Sequence, residues 1–490
     1  MGIENNDVVA ESSEDDSGIA DTGNGRISNS LFVRPNASPG YWLCLLLPLA
    51  FASNLIHENK CNAQFSTQPI LTIAAIGMSI DTLCLFLYIF CKTGLLLKLF
   101  ISFVPGFITT ILYKVLLQQS WSYGLFWGFI ITFTYQKTYI RVLRGLPGCF
   151  SFGEASILVQ GLMLFLLNVI LKFFTLLLKT ENRSTFEDLN IIMMCALTYL
   201  LAICGLLSAA KVLRGPTYFY ALMFILVTGV TSTPITDPVP ITFLLNFIFQ
   251  DQVRVYIVVF YLIMVVLTIL TVWWQIGNEE KASTRIRKVF HVLIVLVFIP
   301  GIIYQCSFLY IATGVAFAIF TVFELIRVCN IPPLAISLRR AFASFSDEKD
   351  AGLLALTPFC LLIGCSMPLW ISLCPCGENE YTNDNSRLLS ILAGVLTIGF
   401  GDTAASVVGS KFGRIKWRSS NKSLEGTLAF MVMTFLPIMF LNYFGYTKLS
   451  PMKWFSTSIA ILTTSLVEAH TDQIDNLTLP IVFYIIVNIF

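Results

Sequence analysis

Long apolar runs recur along the whole chain and constrain its fold more than any other feature. About fifteen runs of roughly 15 to 25 residues can be counted, and a helix of that length crosses about 30 Å of hydrocarbon. Only 12% of the 490 residues are charged, whereas a soluble domain carries about 25%. The sequence therefore predicts an all-α, polytopic integral membrane protein with about 15 transmembrane helices. The predicted spans are residues 40–56, 69–91, 94–113, 121–135, 153–178, 190–210, 217–236, 255–276, 289–303, 306–325, 351–373, 388–410, 427–447, 454–469 and 477–490.

The first 38 residues form an extended polar segment. They contain seven acidic and two basic side chains among many Ser, Asn and Gly residues. Such a segment buries too little apolar surface to offset its ordering entropy, so we expect residues 1–38 to be a disordered, acidic, cytosolic tail. Residues 39–278 are then an N-terminal multi-span region, and residues 279–490 a C-terminal membrane-embedded region. The net charge of +2 excludes a field strong enough to attract nucleic acid.

Basic loops predict which ends of the spans face the cytosol, because Lys and Arg are enriched in cytoplasmic loops. Four basic clusters lie at residues 137–144, 211–214, 281–288 and 327–340. Successive clusters must enclose an even number of spans, so the short run 239–249 is predicted not to cross. This assignment places the basic run 411–422, the polar segment 468–476 and residues 287–291 at one cytosolic surface.

Asp402 lies in a run that combines a carboxylate with small residues. It stands near the end of an apolar helix, and Ser406, Gly409 and Gly413 follow at helical spacing. A carboxylate within the membrane is a candidate functional residue. The small residues alone are equally consistent with close helix packing.

The loop after this helix is strongly basic. Its cations are Lys411, Arg414, Lys416, Arg418 and Lys422, and the next helix opens with Glu425, Gly426 and Thr427. Backbone N–H groups at a helix start favour an anion such as phosphate. The same run is also consistent with a cytosolic anchor that obeys the positive-inside rule.

Acidic residues gather near the C-terminus. Glu468, Asp472 and Asp475 are spaced i, i+4 and i+7, so a continuing helix would place three carboxylates on one face, suited to Mg²⁺ held partly by substrate phosphates. A solvated helix end explains the same pattern. His470 lies among them, and His291 follows Arg287 by four residues at the start of another apolar run.

Four motifs in order resemble those of dolichol kinases. GDTAASVVGSKFGRIKW followed by KSLEGT resembles the CTP-binding signature of that family. RKVFHVLIVLVFIPG, FELIRVCNIPP and EAHTDQIDNLTLP resemble its other motifs, so the likeness covers roughly residues 280–490. Before residue 280 the chain resembles the family only as a series of apolar spans. The motifs also include Arg287, Lys288, His291, Glu324 and Arg327.

The resemblance implies an enzyme of the endoplasmic reticulum membrane, with its active site facing the cytosol. It implies transfer of the γ-phosphoryl group of CTP to the terminal hydroxyl of dolichol, with a divalent cation, expected to be Mg²⁺, to give dolichyl phosphate for protein glycosylation. Arg418 departs from the family, which often has Pro there. The implied CTP-binding residues are Ser410, Lys411, Phe412, Gly413, Arg414, Lys416, Trp417, Lys422, Ser423, Glu425, Gly426 and Thr427.

Roles within this site are hypotheses. Lys416 and Lys422 would hold phosphates, and Asp402, Asp472 and Asp475 would hold the metal. A carboxylate or His470 would accept the alcohol proton. The candidate catalytic residues are thus Asp402, Lys422, His470 and Asp472.

Other functions remain open at this point. A cytidylyltransferase, or a kinase for another lipid or isoprenoid alcohol, would need a similar set of residues. A transporter would show internal repeats and interrupted helices in matching halves, and the sequence has no such repeat. Walker A and protein-kinase signatures are also missing from the sequence.

Overall fold

The computed structural model describes residues 33–35, 37–56, 67–90, 95–178, 183–236, 238–277, 281–346, 348–350, 352–372, 376, 387–418 and 420–489. Within these ranges the chain is helical throughout, apart from turns and one short hairpin. The α-helices are α1 Leu46–Leu55, α2 Gln68–Phe90, α3 Leu95–Leu117, α4 Trp121–Gly145, α5 Phe152–Leu178, α6 Thr185–Ala209, α7 Pro216–Ser232, α8 Pro240–Phe249, α9 Gln252–Gly277, α10 Thr284–Tyr304, α11 Cys306–Cys329, α12 Ala335–Phe345, α13 Leu356–Ile371, α14 Arg387–Ile391, α15 Thr403–Phe412, α16 Leu424–Tyr443, α17 Pro451–His470 and α18 Asp475–Ile489.

Eight helices in the described ranges are long and apolar enough to cross a membrane. The prediction of an all-α, multi-pass membrane protein is confirmed at this level, but the count of about fifteen spans is not. Five apolar helices have only 10 to 17 residues, and at 1.5 Å per residue they reach about 15 to 25 Å. The eight candidate spans are Gln68–Tyr88, Leu99–Leu117, Phe152–Leu176, Thr185–Ala209, Gln252–Gly277, Ile286–Tyr304, Cys306–Cys329 and Leu424–Tyr443.

The last helix, α18, lies at the centre of the bundle. Residues 476–485 are all buried, as expected for a helix that is apolar on every side. It packs against α1, α13 and α17, and the Tyr484 hydroxyl lies 2.6 Å from Oδ1 of Asn54. At its start, a Cβ on Gly364 of α13 would lie 1.8 Å from the Asn476 carbonyl oxygen. Close packing therefore fixes the first turn of α18, which begins at Asp475.

The predicted span 388–410 is interrupted by a π-helical segment, Val395–Asp402. π-Helical turns are rare and often occur at functional sites. Its small residues allow close packing: a Cβ on Gly399 would lie 2.3 Å from the Val295 side chain, and one on Gly401 would lie 2.7 Å from Thr434. The π-helix ends at Asp402, so this packing sets the position of that carboxylate.

The end of the predicted disordered tail has defined contacts. Residues 1–32 and 36 lie outside the described residues, but the Arg34 backbone N–H donates to the Phe150 carbonyl at 2.9 Å, and the Gly153 N–H donates to the Pro39 carbonyl at 2.9 Å. Arg34 and Ser38 of the predicted tail therefore have defined hydrogen-bond partners, whereas the assignment of residues 1–38 as a disordered tail stays a prediction. The division of the membrane region at residue 278 stays a prediction.

A disulfide joins Cys306, the first residue of α11, to Cys376, with a Cα–Cα distance of 5.5 Å. The two cysteines are 70 residues apart in the sequence, and no sequence pattern links them. Helix α10 ends beside Cys306 and carries Lys288 near its other end. At 1.5 Å per residue, about 20 Å or more of helix separates them.

Candidate active site

A cavity of about 420 Å³ lies where the ends of several helices meet. Its walls come from α10, from α15 after the π-helix, from the loop between α15 and α16, and from the junction of α17 with α18. A further side chain, that of Lys349, enters from the loop before α13. Segments more than 100 residues apart in sequence therefore form one pocket. Residues from the segments 287–291, 411–422 and 468–476 line this pocket together, while the prediction that they lie at the cytosolic surface stays a prediction.

One side of the cavity is built around Asp402. The Lys288 ammonium contacts Oδ2 of Asp402 at 2.5 Å, and Nε2 of His291 lies 3.6 Å from the same oxygen. All three side chains are largely buried. A buried carboxylate needs such a counter-charge, because an unpaired charge in an apolar setting is strongly disfavoured.

The opposite side is built around Lys422. Its ammonium lies 2.6 Å from Oε1 of Glu468 and 3.5 Å from Oδ2 of Asp475, and it also donates to the Glu468 carbonyl. Burial alone would lower the pKa of Lys422, but the carboxylates of Asp475 and Glu468 raise it overall. Lys349 donates to Asp475 at 3.2 Å and to the Gln473 carbonyl. Two lysines thus share one carboxylate at the start of α18.

The loop between α15 and α16 is a small hairpin that directs Lys416 and Lys422. Lys416 pairs with Ser423 in an antiparallel bridge, and the Trp417 backbone N–H donates to the Lys422 carbonyl. Glu425 accepts from the backbone N–H groups of Arg414 and Ile415 at 3.0 and 3.2 Å. The hairpin also contacts α17, because the Ser420 hydroxyl donates to the Ala469 carbonyl.

Several buried polar atoms at the cavity have no hydrogen-bond partner among the described residues. Nδ1 of His291 and Oδ1 of Asp475 are in this state. Buried polar groups are normally paired, so unpaired ones that line a cavity point to a ligand. Mg²⁺ typically uses only one or two protein carboxylates together with substrate phosphates, and Asp402 and Asp475 fit that need. Groups of three or more metal-binding side chains are not found in the described part of the chain.

Comparison with known proteins gives the same assignment as the motifs. The family model for dolichol kinase matches residues 128–429. The chain belongs to the dolichol kinase family. It is 32% identical to human dolichol kinase over 375 residues, covering 73% of this chain and 68% of the human protein. Mouse dolichol kinase is 31% identical over 375 residues, with the same coverage of both chains. The Arabidopsis thaliana dolichol kinase EVAN is 29% identical over 387 residues, which cover 70% of this chain and 66% of that protein. No solved structure matches the chain.

The family match begins earlier than the motifs predict. Sequence reasoning limits the resemblance to residues 280–490, whereas the family model starts at residue 128. It stops at residue 429, before the C-terminal acidic motif. Part of the N-terminal half of the chain therefore also matches the dolichol kinase family.

The predicted CTP-binding residues divide into two groups. Five of them line the cavity and seven do not. Those at the cavity are Ser410, Lys416, Lys422, Ser423 and Gly426. Those outside its lining are Lys411, Phe412, Gly413, Arg414, Trp417, Glu425 and Thr427.

The residues outside the lining have structural contacts. The Lys411 ammonium lies 5.2 Å from the centre of the Phe412 ring, and the Trp417 indole N–H donates to the Thr427 hydroxyl at 3.0 Å. The sequence predicts that the start of α16 binds an anion through its backbone N–H groups. One of these, the Gly426 N–H, instead donates to the Ser423 side chain. Lysine side chains, more than helix amides, supply the positive charge of the cavity.

Two predicted catalytic residues lie outside the cavity. Helix α17 ends at His470 and α18 begins at Asp475, so the predicted continuous acidic face does not exist. Asp472 accepts from the Ser38 backbone N–H and hydroxyl, both at 2.6 Å. Partial burial alone would raise the pKa of Asp472, but the Ser38 donors lower it overall. The exposed His470 contacts the Leu466 carbonyl and the Trp417 ring.

The remaining motif residues also divide into those that line the cavity and those that do not. Arg287, Lys288 and His291 line the cavity, whereas Glu324 and Arg327 do not. Arg327 donates twice to Glu324, at 2.8 and 2.6 Å, and Glu324 accepts from the Ala355 N–H. This pair fixes the segment that leads into α13. Sequence reasoning missed Lys349 and Thr357, which also line the cavity, since both lie outside every motif and carry no distinguishing pattern.

Proposed function

We propose that the protein transfers the γ-phosphoryl group of CTP to the terminal hydroxyl of dolichol in this cavity. The product is dolichyl phosphate, which serves protein glycosylation. Membership of the dolichol kinase family supports the reaction class. The cavity supports the location, because lysines and carboxylates from distant segments meet at the ends of membrane helices, where a polar nucleotide and an apolar alcohol can both be reached.

The observation that carries the proposal is the contact of Lys422 with Glu468 and Asp475 across the hairpin and the α17–α18 junction. Phosphoryl transfer depends on positioning and on neutralising the phosphate oxygens. Lys422, Lys416 and Lys349 all reach the cavity, so cations surround the space in which a triphosphate would lie. The hairpin contacts hold two of these lysines in place without help from the ligand.

The bond changes are simple. The dolichol oxygen forms a bond with the γ-phosphorus, the bond from that phosphorus to the bridging oxygen breaks, and CDP leaves. The alcohol proton passes to a carboxylate of the cavity or to water. His470 is not proposed for this role, because its side chain is exposed and turned toward α17.

A divalent cation is proposed as cofactor, with Mg²⁺ as the expected ion. Asp402 and Asp475 would hold it, and the unpaired Oδ1 of Asp475 is suited to a cation. When bound, the ion would supply charge neutralisation at the phosphate oxygens. Lys288 and Lys422 keep these carboxylates oriented toward the cavity.

We place the cavity at the cytosolic surface of the endoplasmic reticulum membrane. Disulfides persist in oxidising compartments such as the lumen of that organelle. Lys288 lies near the start of α10, and the Cys306–Cys376 bond lies just after the other end of that helix. The opposite end of the bundle would then face the reducing cytosol. The basic residues around the cavity agree with the positive-inside rule.

Purified protein incubated with dolichol and CTP labelled at either the α- or the γ-phosphorus tests the proposal. Label from the γ position alone should enter the lipid. Label from the α position would indicate the cytidylyltransferase alternative. Parallel reactions with ATP, GTP and UTP test the nucleotide, and shorter isoprenoid alcohols test the acceptor. Asp402→Asn provides an inactive control protein that should still insert into membranes.

A further inference from the structure

The linker between two cavity carboxylates is held by the N-terminal segment of the chain. Residues 471–474 connect α17, which carries Glu468, to α18, which begins at Asp475. The linker lies outside both helices, so its position depends on contacts with other segments. Lys349 supplies one of these contacts, at the Gln473 carbonyl, and the others come from residues 33–35 and 37–40 and from residues 151–154 at the start of α5.

A buried ion pair forms the first part of this contact. Nη2 of Arg34 lies 2.7 Å from Oε1 of Glu154, and their side chains are only 4% and 0% exposed. Oε1 of Glu154 also accepts from the Ile474 backbone N–H at 2.8 Å, while Arg34 donates to the Asp472 carbonyl at 3.1 Å. The pair therefore binds the linker at two backbone positions, one of them directly before Asp475.

Ser38 forms the second part. Its backbone N–H and hydroxyl both donate to the Asp472 carboxylate, and the Gln473 side-chain amide donates to the Ser38 carbonyl at 2.8 Å. Oε1 of Gln473 in turn accepts from the Ser151 hydroxyl at 2.5 Å. Each linker residue from Asp472 to Ile474 is thus bound to the N-terminal part of the chain.

The N-terminal segment is closely packed on α5. A Cβ on Gly153 would lie 1.9 Å from the Gly40 carbonyl oxygen, so the two backbones meet without space for a side chain. Gly40 itself has φ of 65°, a left-handed conformation that glycine adopts without strain. Close packing of this kind holds the segment in one position relative to the linker.

We propose that residues 33–35 and 37–40 clamp the linker, and that Arg34, Glu154 and Ser38 are positioning residues for the reaction. By fixing residues 471–474, they keep Glu468 and Asp475 together on Lys422. A displacement of about 1 Å at an active site can reduce the rate about 100-fold. The catalytic part of this inference rests on the proposed function, whereas the structural part does not.

Arg34→Met in the full-length protein tests the clamp, with Arg34→Lys as the conservative variant. Arg254→Met is the matched control, because Arg254 binds Gln305 and Asp251 beside the disulfide end of the bundle. Hydrogen exchange followed by mass spectrometry would report on the peptide 471–475. Steady-state kinetics with CTP and dolichol would give kcat and KM separately.

In Arg34→Met we expect exchange in peptide 471–475 at least tenfold faster than in the unaltered protein, with little change in the core of α18. We expect kcat to fall at least tenfold while both KM values stay within threefold. Arg34→Lys should recover part of the rate, and Arg254→Met should match the unaltered protein. Unchanged exchange in peptide 471–475, or equally faster exchange throughout the bundle, would overturn the clamp.

If Arg34→Met does not accumulate, Ser38→Ala tests the clamp instead, because Ser38 is exposed and its replacement should not prevent folding. It removes one of the two donors that Ser38 supplies to Asp472, and loss of one such bond should change linker exchange about two- to tenfold. No change in exchange would again overturn the clamp. If the variants change linker exchange as expected but the unaltered protein does not phosphorylate dolichol, the proposed function is wrong and the clamp still stands.

Discussion

Replacing Lys422 by methionine removes the positive charge that joins the two acidic segments of the cavity. The ammonium lies 2.6 Å from Glu468 and 3.5 Å from Asp475. Removing one partner of a buried ion pair typically costs about 3 to 5 kcal/mol. The Lys422 side chain is 31% exposed, and solvent screens such a pair, so we expect a smaller loss of stability, about 1 to 3 kcal/mol.

The effect of Lys422→Met on the reaction rate should be larger than its effect on stability. Removing one preorganised donor from a site of developing negative charge typically lowers kcat by about 10² to 10³, and we expect a loss of that size for Lys422→Met. The assay is dolichol phosphorylation by membranes that contain equal amounts of each protein, with a thermal melt of the purified proteins. Lys422→Arg should retain part of the activity, because it keeps the charge.

Lys448→Met is the matched control, since Lys448 is exposed and follows the end of α16 that lies away from the cavity. It should phosphorylate dolichol at the normal rate. If Lys422→Met keeps a kcat within threefold of the unaltered protein, the cation at this position does not act on the phosphates. The central argument for the cavity would then be refuted.

Two further predictions concern the same site, and a third concerns Asp472 in the linker beside it. Asp402→Asn should lower kcat at least 100-fold while the protein still accumulates in membranes, because the amide cannot pair with Lys288 as a charge; normal turnover would exclude Asp402 from the reaction. Lys349→Met should lower kcat/KM for CTP about tenfold, measured by initial rates, since Lys349 shares Asp475 with the hairpin; an unchanged value would make it structural. Donors from Ser38 lower the pKa of Asp472, so this contact should be complete above the ordinary Asp pKa of about 3.9 and weaken as pH falls through the lower folded value. The measurement is the hydrogen-exchange protection factor of peptide 471–475, corrected for the intrinsic pH dependence of exchange, and a loss of protection already near pH 6 would contradict this.

The membrane class, the helical fold and the family follow from local features of the sequence. Apolar run length and charge content identify a multi-pass membrane protein, and the motif around Asp402 identifies the family. The number of spans does not follow, because a run such as 388–410 is apolar and long enough yet is interrupted by the π-helix at Val395–Asp402. Hydropathy measures composition along the chain and does not detect where a helix widens or ends.

The site was predictable to the same extent. The approach of the basic run to the acidic C-terminal segment follows from their shared side of the membrane, and Lys422, Asp402 and Asp475 follow from their residue types. Periodicity assumes a continuous helix, so it groups Asp472 with Glu468 and Asp475. The break after His470 turns Asp472 toward Ser38 instead.

The sequence alone therefore determined what kind of molecule this is and which segments carry charge. It could do so because hydrophobicity, helix spacing and motif order act within a few residues along the chain. The tertiary structure is needed to show that Lys349, from a loop without a motif, lines the cavity, and that Arg34, from the predicted tail, binds Glu154 and the linker before α18. Those contacts depend on how helices from distant parts of the chain pack together.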